Sequence, residues 1–177
     1  MKTKAIILIV IFAVAILILQ VGRQEGRRGS KQLVEGQEAP LYKLATPADG
    51  KIVSAEDYRG RAVIVNFWAS WCASCVAEMP SFQRFYEANK SNTSLVVITV
   101  LYKDSYDDAL KLMKENKYDL PVFLDDKSVS ARAFGLTGVP ETFFIDKHGV
   151  LFKKVLGPIE WESPDLKELV KELLSKA

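Results

Sequence analysis

Both cysteines of this 177-residue chain fall in one short string, Trp71-Cys72-Ala73-Ser74-Cys75. Thiols at this spacing can close a small disulfide when a helix begins between them. The preceding apolar run Ala62-Val63-Ile64-Val65-Asn66-Phe67-Trp68 reads as a strand, which puts Cys72 where a strand hands over to a helix. Free amide groups and the dipole at a helix start stabilise a thiolate, so Cys72 is the expected attacking sulfur and Cys75 the resolving one. The same spacing also serves as half of a zinc site. A closed zinc site takes four protein ligands, however, and the single histidine, His148, sits in the turn-forming string Asp146-Lys147-His148-Gly149. No metal or cofactor is therefore expected. A purely structural clip is also disfavoured, because a bridge over so short a loop restrains little of the unfolded chain.

The elements that position these thiols follow from periodicity and punctuation. Ala62 to Phe67 and Leu95 to Leu101 are continuous apolar runs rich in Val and Ile, as expected of strands covered on both faces. Between them Cys72 to Asn89 is long enough for a helix, with Pro80 expected to bend it. Asp107 to Lys117 predicts a second helix ended by Pro121, Val122 to Leu124 a short strand, and Val129 to Phe134 a short helix stopped by Gly135. Glu141 to Ile145 and Val150 to Leu156 pair across the turn at Asp146 to Gly149. Ser163-Pro164-Asp165 opens a last helix with a serine cap and a proline in the first turn. Leu41 to Leu44 and Lys51 to Val53, flanking Pro47-Ala48-Asp49-Gly50, suggest a hairpin added at a sheet edge. Strands alternating with helices predict an α/β fold with a mixed central sheet flanked by helices.

Residues Ala5 to Val21 carry no charge, and Lys2 and Lys4 precede them. As a helix this stretch would reach about 25 Å, near the lower limit for a bilayer core. Leu19-Gln20-Val21-Gly22 offers no small-x-small cleavage site, so residues 1–21 are expected to be an N-terminal membrane anchor or an uncleaved signal. Residues 22–32 are Gly-, Arg- and Gln-rich and read as a flexible tether, and residues 33–177 have the length of one domain. Six of the 24 basic residues but one of the 22 acidic ones precede Leu33, which turns the whole-chain charge of +2 into −3 for the rest. No basic face calls for nucleic acid.

The string Val65-Asn66-Phe67-Trp68-Ala69-Ser70-Trp71-Cys72-x-x-Cys75, followed by Gly138-Val139-Pro140-Glu141-Thr142-Phe143-Phe144-Ile145-Asp146, resembles the thioredoxin superfamily. More narrowly it resembles the membrane-tethered thiol-disulfide oxidoreductases of the TlpA, ResA and CcmG (DsbE) type. The likeness extends over Gly36-Gln37-Glu38-Ala39-Pro40 and Gly50-Lys51. It implies a thioredoxin-like fold with an N-terminal β-hairpin extension and an N-terminal transmembrane helix. It further implies that Pro140 is a cis proline opposite the disulfide and that Val139 presents its backbone to an extended substrate segment. Trp68 and Trp71 are expected to wall the active-site surface, with Trp71 partly exposed, while Trp161 packs the last helix.

Glu78 follows Cys75 by three residues, so a helix puts the two on one face. In ResA-like proteins a glutamate at this place lies near the cysteine pair, and Asn66 stands where ordinary thioredoxins carry a buried aspartate. Glu78 is thereby the expected proton acceptor and donor for Cys75, a role that needs a carboxyl pKa raised by apolar surroundings.

In function the resemblance implies a protein disulfide reductase of cytochrome c maturation. Its substrate would be the disulfide of apocytochrome c, and its electron donor a membrane thiol carrier of the CcdA or DsbD kind. Basic residues flank the uncharged stretch on both sides and leave its orientation open. A thiol enzyme tethered to a membrane is expected to face an oxidising compartment, which places the catalytic domain on the extracytoplasmic, periplasmic side of a bacterial cytoplasmic membrane. The same residues would serve a thiol oxidase or isomerase, since direction depends on reduction potential. A non-enzymatic redox-sensing or binding module on this fold is the remaining alternative. Peroxidase activity is disfavoured because Asn66 to Trp71 lacks a proline-containing peroxidatic loop. Copper delivery of the Sco kind is disfavoured because it uses the longer C-x-x-x-C spacing.

Overall fold

The structure, a computed structural model, describes residues 33–176. The expected anchor at 1–21 and tether at 22–32 lie outside the described residues, among which no helix is long and apolar enough to cross a membrane. The described strands are β1 (Lys43–Ala45), β2 (Ile52–Ser54), β3 (Ala62–Trp68), β4 (Leu95–Leu101), β5 (Val122–Leu124), β6 (Glu141–Ile145) and β7 (Leu151–Leu156). The described α-helices are α1 (Ala73–Asn89), α2 (Tyr106–Asn116), α3 (Val129–Ala133) and α4 (Pro164–Ser175). One mixed sheet runs in the order β2-β1-β5-β4-β3-β6-β7. Its centre, β3, β4 and β5, is parallel, while β6 and β7 on one side and β1 and β2 on the other are antiparallel additions.

Side chains alternate across a strand, so β3 serves two cores. Ala62, Ile64 and Trp68 join Met79, Phe82 and Phe85 of α1, Ala109 and Met113 of α2, and Leu166, Val170 and Leu173 of α4. Val63, Val65 and Phe67 join Ile98, Val100, Phe143 and Ile145 from neighbouring strands, with Ala131 and Phe134 from the α3 region. The predicted hairpin is at the sheet edge, yet it is part of this second core, because Tyr42 and Leu44 are buried there. The preceding segment ties the far edge: Gly36 donates to the Leu151 carbonyl and the Leu151 amide to the Gln37 carbonyl, each at 2.8 Å.

Helix α2 covers the expected segment and stops at Asn116, before Pro121 is reached, because Lys117 turns left-handed (φ 57°) and its amide closes back on Met113 and Lys114. One expectation is corrected. Trp68 does not wall the surface. It points inward among the first core's side chains, and its indole donates to Thr99 Oγ1 at 3.2 Å. Helix α1 continues through Pro80, whose ring is exposed. Ser163 caps α4 by accepting from the Leu166 amide at 3.3 Å, with Pro164 in the first turn as expected.

Candidate active site

Strand β3 ends at Trp68, and the chain turns through Ala69 to Trp71 before α1 begins. Asp104, in the loop between β4 and α2, fixes this turn by accepting from the Ser70 amide at 2.5 Å. The Trp71 indole donates to the Lys103 carbonyl at 3.2 Å, which holds its ring on the surface, 60% exposed. Cys72 is the N-cap residue of α1, and its Sγ accepts from the Cys75 amide at 3.2 Å. That amide and the helix dipole behind it favour negative charge on this sulfur. Cys72 and Cys75 form a disulfide, with Cα atoms 5.2 Å apart. Cys75 is wholly buried, whereas Cys72 keeps 7% of its surface accessible. An incoming reactant therefore meets Cys72, not Cys75.

The loop before β6 closes over the pair. The Val139–Pro140 peptide bond is cis, and the Val139 carbonyl oxygen lies 3.5 Å from Cys72 Sγ. The Gly157 amide, just beyond β7, donates to the Pro140 carbonyl at 2.9 Å.

Glu78 is buried one helical turn beyond Cys75. Its Oε1 accepts from Asn66 Nδ2 at 3.2 Å, and its Oε2 from the Ile159 amide at 2.7 Å. Asn66 also donates to Thr142 Oγ1 at 3.0 Å. Burial pushes the Glu78 carboxyl up to about 7, against the opposing pull of the Ile159 amide, the Asn66 side chain and the nearby Trp161 indole. Desolvation outweighs the hydrogen bonds, so the acid gains and loses its proton near neutrality. Its direct partners are Asn66 and Ile159, not the Cys75 sulfur.

Two register partners of Asn66 carry a sequence signal that the motifs do not include. Thr99 and Thr142 are, like Asn66, polar positions in buried strands, and register places Asn66 opposite Thr99 on one side and Thr142 on the other. A polar residue in a strand buried on both faces must find a partner, and these three find theirs in Glu78, Trp68, the Pro121 carbonyl and one another. Ile159 carries no such signal, since it contributes through its backbone. Trp161 stacks on Phe82 of α1, ring centres 3.8 Å apart, and its amide donates to Ser81 Oγ at 3.3 Å. It thereby fastens the segment that delivers Ile159 to Glu78. His148 is exposed in its turn, remote from the thiols along β6. Among the described residues there is no group of three or more His, Cys, Asp or Glu side chains able to hold a metal ion. A cavity of about 280 Å³ between Tyr42, Tyr58, Arg61 and Ile145 opens at the opposite end of β3 and β6 and is no part of this site.

A family model described as AhpC/TSA matches residues 35–154, well over half of the chain. The chain belongs to the AhpC/TSA family. Within this family its similarity runs to dithiol exchangers. It is 32% identical over 139 residues to the thiol-disulfide oxidoreductase ResA of Bacillus thuringiensis subsp. konkukian, covering 78% of each chain. It is 35% identical to the thiol:disulfide interchange protein DsbE of Pseudomonas fluorescens biotype C, covering 71% of this chain and 68% of that one. A solved structure described as a DsbE from Chlorobium tepidum superposes with a TM-score of 0.71 at 26% identity, over 81% of this chain and 99% of the other. The AhpC/TSA-family domain thus has the thioredoxin-like α/β fold, and the protein is a thiol-disulfide oxidoreductase of the ResA and DsbE type with a Cys72-x-x-Cys75 pair.

Proposed function

We propose that this oxidoreductase works as a reductase of protein disulfides, anchored by residues 1–21 with its thiol domain on the periplasmic side of a bacterial cytoplasmic membrane. The observation that carries the reading is a nearly buried dithiol pair at a helix start with an acid of near-neutral pKa one turn behind it. The uncharged stretch Ala5 to Val21 supports the anchor. Similarity to ResA and DsbE proteins supports exchange with other thiol proteins, and apocytochrome c is the substrate we favour.

In the reduced enzyme the Cys72 thiolate attacks one sulfur of the substrate disulfide. A mixed disulfide forms, and the other substrate sulfur leaves as a thiolate. Glu78, as carboxylate, takes the proton of the Cys75 thiol through a water or a side-chain rotation. The Cys75 thiolate then attacks Cys72 Sγ, the enzyme disulfide closes, and the second substrate sulfur is released. Two electrons pass from the enzyme pair to the substrate, and a membrane thiol carrier of the CcdA or DsbD kind returns them. Trp71 and the Val139–Pro140 loop flank the attacking sulfur as the docking surface.

The test is the reduction potential of the Cys72/Cys75 pair, equilibrated against glutathione. A value of about −220 to −270 mV supports the reductase, whereas one near −120 mV would make the protein an oxidant. A Cys75→Ser variant is expected to accumulate substrate on Cys72 as a mixed disulfide, seen on non-reducing gels and lost on adding dithiothreitol. Absence of any such adduct counts against the two-step exchange.

A further inference from the structure

Glu141 and Glu78 are the two carboxyl side chains buried among the described residues, and Glu141 has no part in the exchange just described. Its Oε1 accepts from the Thr137 amide at 2.9 Å, the Gly138 amide at 3.1 Å and the Thr137 hydroxyl. Its Oε2 lies 2.9 Å from Lys154 Nζ, an ion pair rather than an aligned hydrogen bond. Lys154 stands opposite Phe143 on β7, with its ammonium 5.0 Å from the Phe143 ring centre and its side chain largely withdrawn from water. Desolvation offsets the attraction within such a pair, so stability alone is a poor reason for it.

What the pair holds is the loop that meets the disulfide. Glu141 draws the N–H groups of Thr137 and Gly138 inward, toward the second core. The next residue, Val139, is the one whose carbonyl reaches Cys72. Thr142 emerges on the other face of β6 and joins Asn66 and Glu78. The two residues after Pro140 therefore fasten the loop from both faces of the sheet.

We propose that Glu141 and Lys154 form a positioning pair that fixes the Thr137–Pro140 loop for docking of an extended polypeptide segment carrying the target disulfide. The proposal rests on the protein-exchange reading above. With insulin as the disulfide substrate, folded Glu141→Gln is expected to raise KM about tenfold, because the amide oxygen still accepts but without the charge that strengthens those bonds and pairs Lys154. It should leave the Cys72/Cys75 potential at the wild-type value. Lys154→Met in the Glu141→Gln background should recover part of the loss, because it removes the unpaired ammonium. Thr137→Val, at an exposed position, deletes only the hydroxyl arm and should raise KM by a smaller factor; it carries the test if Glu141→Gln fails to fold.

An unchanged KM in the folded variants overturns the proposal. So does a fall in kcat accompanied by a shifted potential, which would mark Glu141 as acting on the thiols instead of the loop. Failure of the wild type to reduce insulin, together with the oxidant's potential named above, would sink the reductase reading alone. The same variants are then compared with a reduced, unfolded protein as the substrate to be oxidised, and the KM criterion stands.

Discussion

Glu78 is a carboxylic acid whose pKa is moved by burial from the ordinary range up to about 7. The sign of the consequence is fixed. Between the ordinary carboxyl pKa and about 7 the native state holds a proton that the unfolded chain has released, so stability falls as pH rises through that window. The size is roughly 3 kcal/mol between the two limits. Urea unfolding of the oxidised protein at pH 4.5 and pH 8 should show this loss relative to Glu78→Gln, whose amide does not titrate; equal pH dependence in both proteins would refute it. In exchange, Glu78→Gln should slow closure of the Cys75 step by about 10²-fold near neutral pH and remove the inflection near pH 7 from its rate, while attack by Cys72 continues. Stopped-flow tryptophan fluorescence separates the two steps.

At the scale of elements, α1 carries a defect next to the chemistry. Pro80 has no N–H for the Val76 carbonyl, one turn from the disulfide. Its ring is exposed, so Pro80→Ala introduces no cavity. The helix should gain about 2 kcal/mol, the difference between the propensity gain and the entropy returned to the unfolded chain. A rise in the urea midpoint with unchanged slope is the expected result, and an unchanged midpoint would show that Val76 already has another partner.

The elements also explain what was legible in the sequence. Strand β3, the helix start at Cys72 and the cap at Ser163 depend on a few neighbouring residues, and each is legible locally. The position of Val139 and Pro140 against the thiols came only through resemblance, since no spacing links residues that far apart. The bonds from Ile159 to Glu78 and from Trp161 to Ser81 span 81 and 80 residues, and their donors are backbone amides, which any residue but proline supplies. The sequence does not locate Trp68, because tryptophan suits a wall and a core equally; its even position on β3 and its bond to Thr99 decide for the core.

Across the whole molecule the two cores are one cooperative system, because β3, β4 and β6 send alternate side chains into each. Neither can loosen without disturbing the strands that carry the other. The tryptophans Trp68 and Trp161 report on the first core and Tyr42 on the second. Unfolding followed by tryptophan fluorescence, tyrosine absorbance and far-ultraviolet circular dichroism should therefore give one midpoint. Two separated transitions would show that the edge hairpin and α3 melt on their own.

The separation of 67 positions between Cys72 and the carbonyl that faces it also sets an order of events when the chain is made. Translation at roughly 5–20 residues per second brings the thiols into being about 3–13 s before the strand that completes their site. During that interval the helix that caps Cys72 lacks the strand and the Trp161 segment it packs against, so the sulfur has neither its N-cap amide held in place nor the Val139 carbonyl beside it. The nascent chain thus carries two ordinary thiols, and the docking of β6 against β3 is the step that turns them into a site.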